Sequence, residues 1–63
     1  MTTEQLKAIL RHRHKHYLQR AHEHETAGRR DVETRYRTAA YAISVALDDI
    51  CQAEVQEREK PTT

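Results

Sequence analysis

The chain has 63 residues, of which ten are Leu, Ile or Val, none is Phe or Trp, and a third are charged, with a formal net charge of +1. A chain this short makes at most one domain and buries a small share of its surface, which excludes a large multi-part active site. The scarcity of large apolar residues is typical of disordered chains, but the low net charge and the many Ala, Glu, Gln, Arg, Lys and Leu residues favour helix.

The composition also indicates a compartment. The longest apolar run, Ala39 to Ile43, is far shorter than the roughly 20 residues of a membrane helix, and the N-terminus lacks the apolar segment of a signal peptide. A single Cys cannot form an internal disulfide, whereas small secreted domains usually carry several. We therefore predict a cytoplasmic protein without a membrane segment.

The N-terminal half of the chain is predicted to form one helix. Thr2 is a candidate N-cap, and Gln5 three residues later completes the pattern of a capping box. Gly28 is the only glycine and lies where a helix favours a residue in the left-handed conformation. These signals predict a first helix over about residues 3–27 and a turn over residues 28–30.

A second helix is predicted over about residues 31–59. Asp31 is a candidate N-cap, Glu33 suits the positive end of the helix dipole, and Pro61 stops the helix, leaving a flexible tail over residues 60–63. Two long helices joined by a three-residue turn fold back on each other. We therefore expect a single all-α domain, residues 1–63, built as an antiparallel two-helix hairpin.

Each helix carries one apolar stripe. On the first helix the stripe is interrupted by Arg13 and His14, and it comprises Leu6, Leu10, Tyr17, Ala21, His24 and Ala27. The stripe of the second helix alternates spacings of three and four residues, with Ala40 and Leu47 beside it, and comprises Val32, Tyr36, Ala39, Ile43, Ala46, Ile50 and Ala53. The second stripe is the stronger of the two.

The middle of the second helix is apolar nearly all round. Tyr41 and Val45 point away from the stripe, where a lone hairpin leaves them in water, although single exposed residues of this kind are tolerated in many proteins. The sequence thus predicts a homodimer that forms a four-helix bundle, with a different protein as the alternative cover. The predicted self-interface comprises Tyr36, Ala39, Tyr41, Ile43, Val45, Leu47 and Ile50.

Five histidines raise the question of a metal site. His12 and His16 are the pair in the run of alternating histidines whose spacing of four residues lets two imidazoles share an ion. Arg20 lies on the same face and repels a cation, and no nearby Cys or carboxylate completes a tetrahedral set. We therefore interpret this region as a polar, solvated helix face, and we predict no metal or other cofactor.

Charge is distributed unevenly along the chain. Residues 1–37 carry a balance of +4 and residues 38–63 a balance of −3. The basic residues can bind an acidic protein or a nucleic acid, or they can pair inside the hairpin with Asp48, Asp49, Glu54 and Glu57 of the second helix. The candidate binding residues are Lys7, Arg11, Arg13, Lys15, Arg20, Arg29 and Arg30.

Nothing in the sequence indicates catalysis. Cys51 and Ser44 lack an adjacent base or a strained turn, and one glycine cannot make a phosphate-binding loop. We expect a small non-enzymatic interaction module, an adaptor or regulator of the kind common in bacteria, phages and plasmids, acting as a helical homodimer that binds a protein partner. The alternatives are an RNA- or DNA-binding hairpin and a metal- or pH-responsive protein that uses its histidines.

Overall fold

The structure, a computed structural model, describes residues 1–59. They form two helices, α1 (Thr3–Thr26) and α2 (Arg30–Glu59), which pack against each other along their length as an antiparallel hairpin. The predicted all-helical hairpin is therefore confirmed. The predicted tail, residues 60–63, lies outside the described residues.

The first turn of α1 is fixed by a capping box. The backbone N–H of Gln5 donates to Oγ1 of Thr2 at 3.1 Å, and the backbone N–H of Thr2 donates to Oε1 of Gln5 at 2.8 Å. Two backbone donors that would otherwise lack a partner are thereby satisfied. The start of α1 thus follows from two side chains that the sequence already identifies.

The connection between the helices is a Schellman turn centred on Gly28. Gly28 has a φ of 76°, and its N–H donates to the carbonyl of Glu25 at 3.0 Å. The N–H of Arg29 donates to the carbonyl of His24 at 2.8 Å. Both bonds satisfy carbonyls at the end of α1, and they require a residue that tolerates positive φ.

Because the Schellman turn is short, α2 begins at Arg30, one residue before the predicted N-cap. The N–H of Glu33 donates to the carbonyl of Arg29 at 3.0 Å, so the helical bonding pattern already includes Arg29. Asp31 therefore lies inside the first turn and does not cap it. Asp31 and Glu33 still place negative charge at the positive end of the helix dipole.

The packed seam follows the predicted stripes except at a few positions. Its members recur at spacings of three and four residues and comprise Lys7, Leu10, His14, Tyr17, Ala21 and His24 of α1 and Glu33, Tyr36, Ala40, Ile43, Leu47, Ile50 and Glu54 of α2. On α1, Lys7 is buried where Leu6 was expected, and Leu6 is exposed. On α2, Ala40 takes the central position predicted for Ala39, and Ala53 is exposed.

Aromatic rings fill the seam near the turn. The rings of Tyr17 and Tyr36 lie 5.8 Å apart, and the ring of His24 stacks on Tyr36 at 5.4 Å with an interplanar angle of 8°. Such pairs stabilise a fold beyond the apolar area they bury. Nδ1 of His24 is buried and has no hydrogen-bond partner within the described hairpin.

The hairpin encloses almost no core. Among residues 1–59 the buried hydrophobic residues are Ala21 and Ala40, and no large side chain is fully buried. The accessible surface of the 7.4 kDa chain is 5345 Å², whereas a compact monomer of that mass exposes about 4,200 Å². The chain thus exposes about 1,100 Å² more than a compact protein of its size.

Candidate interaction surfaces

The two long edges along which α1 and α2 meet differ in chemistry. The first, here called the ion-pair edge, carries Lys7, Glu25, Glu33, Arg37 and Glu54. The second, the apolar edge, carries on α1 Leu6, Ile9 and Tyr17 and on α2 Val32, Ala39, Ala46, Ile50 and Ala53. The outer side of α1, which faces away from α2, forms a third surface.

Two clusters of charged side chains bridge the two helices along the ion-pair edge. Near the turn, Arg37 donates from Nη2 to Glu25 at 2.6 Å and from Nε to Glu33 at 2.7 Å. At the opposite end, Nζ of Lys7 lies 2.8 Å from a carboxylate oxygen of Glu54 and 2.8 Å from one of Glu4. Each cluster contains one ion pair between the two helices, so this edge is tied together by charge.

These contacts shift the pKa of the groups that make them. The hydrogen bond from Arg37 lowers the pKa of Glu33 below its ordinary value, and the hydrogen bond from Lys7 does the same for Glu4. The bonds to Glu4 and Glu54 raise the pKa of Lys7. Each shift favours the charged form of a group that is paired in the folded hairpin.

The predicted binding residues separate into three groups. Lys7 is used inside the hairpin and is only 8 % exposed. Arg20 makes a loose contact of 3.4 Å with Glu23 on its own helix. The remaining five are exposed and form no ion pair within residues 1–59; they are Arg11 and Lys15 on the outer side of α1, Arg13 at the groove beside Tyr17, and Arg29 and Arg30 at the turn.

The acidic residues of α2 do not neutralise the outer side of α1. In the described part of the chain, Asp48, Asp49 and Glu57 form no ion pair, and Glu54 reaches Lys7 at the inner edge. Residues 8–22 contain four Lys or Arg residues, four His residues and no acid. The outer side of α1 at Arg11 and Lys15 is therefore a cationic surface open to an anionic partner.

His12 and His16 lie on the surface of α1, in a groove of about 600 Å³ that they share with Ala8, Ile9, Arg13 and Tyr17. Within residues 1–59 no three His, Cys, Asp or Glu side chains come close enough together to hold a metal ion. Arg13 lies between the two imidazoles along the chain and lines the same groove, which disfavours a cation there.

Two further grooves adjoin this one, and one of them lies between the helices at the apolar edge. A groove of about 400 Å³ is lined in part by Met1 and Ile9, and a groove of about 290 Å³ is lined in part by Val32 and Ala39. Tyr17 lines both the groove that holds His12 and His16 and the groove that holds Val32 and Ala39, so these two grooves adjoin each other. Leu6 and Ile9 are 38 % and 41 % exposed at this edge.

The residues predicted for self-association do not share one surface. Four of them already contact the seam and are half-buried: Tyr36, Ile43, Leu47 and Ile50. Ala39 lies at the apolar edge. Tyr41 and Val45 lie on the opposite side of α2, where they are 71 % and 39 % exposed and have Asp48, Asp49 and Gln52 as polar neighbours.

Two further side chains considered for chemistry have ordinary surroundings. The hydroxyl of Ser44 donates to the carbonyl of Tyr41 at 2.7 Å, a bond internal to α2. Cys51 is a free, exposed cysteine on α2. Neither side chain is part of an assembled group of catalytic residues in the described hairpin.

The signals that sequence reasoning missed are those of the ion-pair edge. Glu33 and Arg37 are spaced as helical neighbours, which the sequence alone reveals, but their link to Glu25 depends on the register between the helices.

Neither described helix is apolar over a length that could cross a bilayer. The chain matches no known protein-family model, no curated protein and no solved structure.

Proposed function

We propose that this chain is a small non-enzymatic interaction module that works as a helical homodimer and binds an acidic protein partner. The observation that supports it most is the missing core: the described hairpin buries two alanines and no large apolar side chain. A hairpin with so little buried apolar surface offsets the entropy of ordering its chain poorly, and a second copy supplies the missing contact.

The excess surface has the size that a dimer needs. The chain exposes about 1,100 Å² more than a compact protein of equal mass, and a stable interface buries about 800 Å² per partner. Two hairpins packed side by side form a four-helix bundle, which is the simplest assembly that covers this area. The homodimer is therefore the unit that we propose acts in the cell.

The cationic outer side of α1 carries the proposal for a partner. Arg11 and Lys15 are exposed, lie four residues apart on one face, and have no acid near them along the helix. Like charges at that spacing destabilise a helix, so an anionic surface that compensates them gains affinity. An acidic helix or acidic protein surface provides that compensation.

Nucleic acid is the second candidate for the same surface. The absence of any acid over residues 8–22 favours it, because a phosphate backbone meets no repulsion along that stretch. The two candidates differ in their response to salt and to the chemistry of the anion. Binding of labelled duplex DNA, single-stranded RNA and an acidic helical peptide at about 50 and 200 mM salt distinguishes them.

The variant for this experiment is Arg11→Gln combined with Lys15→Gln, and Arg58→Gln on α2 is its matched control. We expect the acidic peptide to bind the wild type and the control alike and to bind the double variant at least about fivefold more weakly. Tight binding of DNA or RNA with a steep salt dependence assigns the surface to nucleic acid. Equal binding of any anion to wild type and double variant contradicts both candidates.

A further inference from the structure

We infer that the second copy packs against the apolar edge in an antiparallel arrangement, with the two α2 helices related by a two-fold axis beside Ala46. This inference rests on the proposed homodimer and specifies its interface. It selects the apolar edge over the opposite side of α2, where the sequence placed Tyr41 and Val45.

The apolar edge is free to receive a second copy, whereas the ion-pair edge is not. The ion-pair edge is closed by Arg37 and Lys7, each of which bridges the two helices. No ion pair between the helices lies along the apolar edge within residues 1–59, and a groove lined in part by Tyr17, Val32 and Ala39 lies between the two helices there. Both helices contribute apolar side chains there, whereas the side with Tyr41 involves α2 alone and is largely polar.

The sequence of α2 defines the register of the two α2 helices. The residues along the apolar edge of α2 are arranged symmetrically about Ala46. Ala42 and Ile50 lie four residues from it, Ala39 and Ala53 seven, and Arg35 and Glu57 eleven. In an antiparallel pair centred on Ala46, each residue meets the counterpart of the other copy, as an isologous interface requires.

Opposite charges face each other in this register. In this register Arg35 lies opposite the partner's Glu57, and the two-fold axis repeats the pair at the other end of the interface, about 33 Å away along the helix. Both residues are exposed, and neither forms an ion pair in the described part of the chain. A parallel pair instead places Arg35 against Arg35 and Glu57 against Glu57, which repel.

The shape of the interface suits this register. Ala46 on the axis is small, and Ala42 lies opposite the larger Ile50 of the other copy, so the two backbones approach closely. The larger apolar residues Ile50 and Ile9 lie beside them, next to the grooves of α1. The two α2 backbones are therefore close together at the axis, and large side chains fill the interface beside it.

Cysteine cross-linking tests this register in full-length chains that carry Cys51→Ser. We expect Ala46→Cys to form a disulfide-linked homodimer readily, because the axis brings the two Cα atoms within bonding reach. Ala39→Cys is the matched control: its two copies lie about 21 Å apart and cannot link. A mixture of Ala39→Cys and Ala53→Cys chains links into a heterodimer.

Efficient self-linking of Ala39→Cys indicates a parallel pair and overturns the inference. A dimer that sediments at twice the chain mass and yields none of these links uses another surface, which also overturns the inference but leaves the proposed homodimer intact. A chain that sediments as a monomer at all accessible concentrations contradicts the homodimer itself. The three failures are thus distinguishable.

Charge reversal tests the same register without a covalent bond. We expect Arg35→Glu or Glu57→Arg alone to raise the dimer Kd at least about fivefold, and the two together to restore it to within about twofold. Tyr41→Glu, on the far side of α2, leaves the Kd unchanged. Single reversals that leave the Kd unchanged, or a Tyr41→Glu chain that becomes monomeric, contradict the inference.

Discussion

The turn between the helices gives the most quantitative prediction for stability, the substitution Gly28→Ala. Gly28 has a φ of 76°, a conformation that L-residues other than glycine adopt at a cost of about 1–2 kcal/mol. An added Cβ meets no atom within 4 Å, so the cost is conformational and involves no clash. The Schellman bonds to Glu25 and His24 hold the residue in place and prevent it from relaxing to negative φ.

The net effect is smaller than the conformational cost. Replacing Gly by Ala also reduces the freedom of the unfolded chain, which offsets about 0.4–1 kcal/mol. We therefore expect Gly28→Ala to lower the free energy of unfolding by about 1 kcal/mol per chain and to lower Tm by about 4–8 °C. The shift in Tm is the same for a dimer, because the energetic cost and the unfolding entropy both double.

Thermal unfolding followed by circular dichroism at 222 nm measures this shift, at one fixed chain concentration for all variants. Arg29→Ala is the control, because Arg29 follows the glycine and no residue other than Gly28 has positive φ in the described hairpin. We expect the control to change the stability by less than about 0.5 kcal/mol. A Gly28→Ala chain that melts at or above the wild-type temperature refutes the reasoning.

Three further predictions concern the seam, the charge clusters and the axis. His24→Phe keeps the stacking on Tyr36 and removes the unpaired buried Nδ1, so Tm rises by about 4–8 °C; an unchanged or lower Tm contradicts it. Because the pKa of Glu33 is lowered in the fold, its contribution to stability is complete above its ordinary pKa and is lost as pH falls through the lowered value. Tm therefore falls on acidification below about pH 4.5, and Glu33→Gln makes the fall smaller; an equal fall in both chains argues against the ion pair. Lys7 lies level with Glu54, so Ala46 lies level with residues 13–15 of α1, and the proposed two-fold axis brings two copies of Arg13 together. Replacing this repelling pair by Arg13→Leu is therefore expected to lower the dimer Kd measured by sedimentation. A raised Kd would count against the antiparallel register.

The helices and the turn could be predicted from sequence because their signals are local. Thr2 and Gln5 lie three residues apart and make the capping box that the pattern indicates. Gly28 takes the left-handed conformation for which a single glycine after a long helix is typical. Local hydrogen bonds of this kind depend on neighbours in the chain and need no knowledge of the rest of the fold.

The burial of Lys7 in the seam could not be predicted by ranking residues by hydrophobicity. Leu6 is more apolar than Lys7, yet Lys7 is buried, because its alkyl stem packs along the helix while Nζ reaches Glu54 and Glu4. The pairing depends on the register between the helices, which only the assembled hairpin defines. For the same reason the sequence named Lys7 as a candidate binding residue and left open whether it pairs inside the hairpin.

The surfaces were only partly predictable. The excess of apolar residues over what one hairpin can cover was visible in the sequence, but the choice between the two sides of α2 depends on which side α1 leaves open. Ala46 and Arg35 became candidates for an interface because the hairpin leaves their edge uncovered.

Sedimentation equilibrium of the full chain over a wide concentration range tests the central claim, that the missing core is supplied by a second copy. We expect a mass of twice the 7.4 kDa chain and a Tm that rises with chain concentration. A particle of 7.4 kDa that is stably helical and melts at a temperature independent of concentration would contradict it.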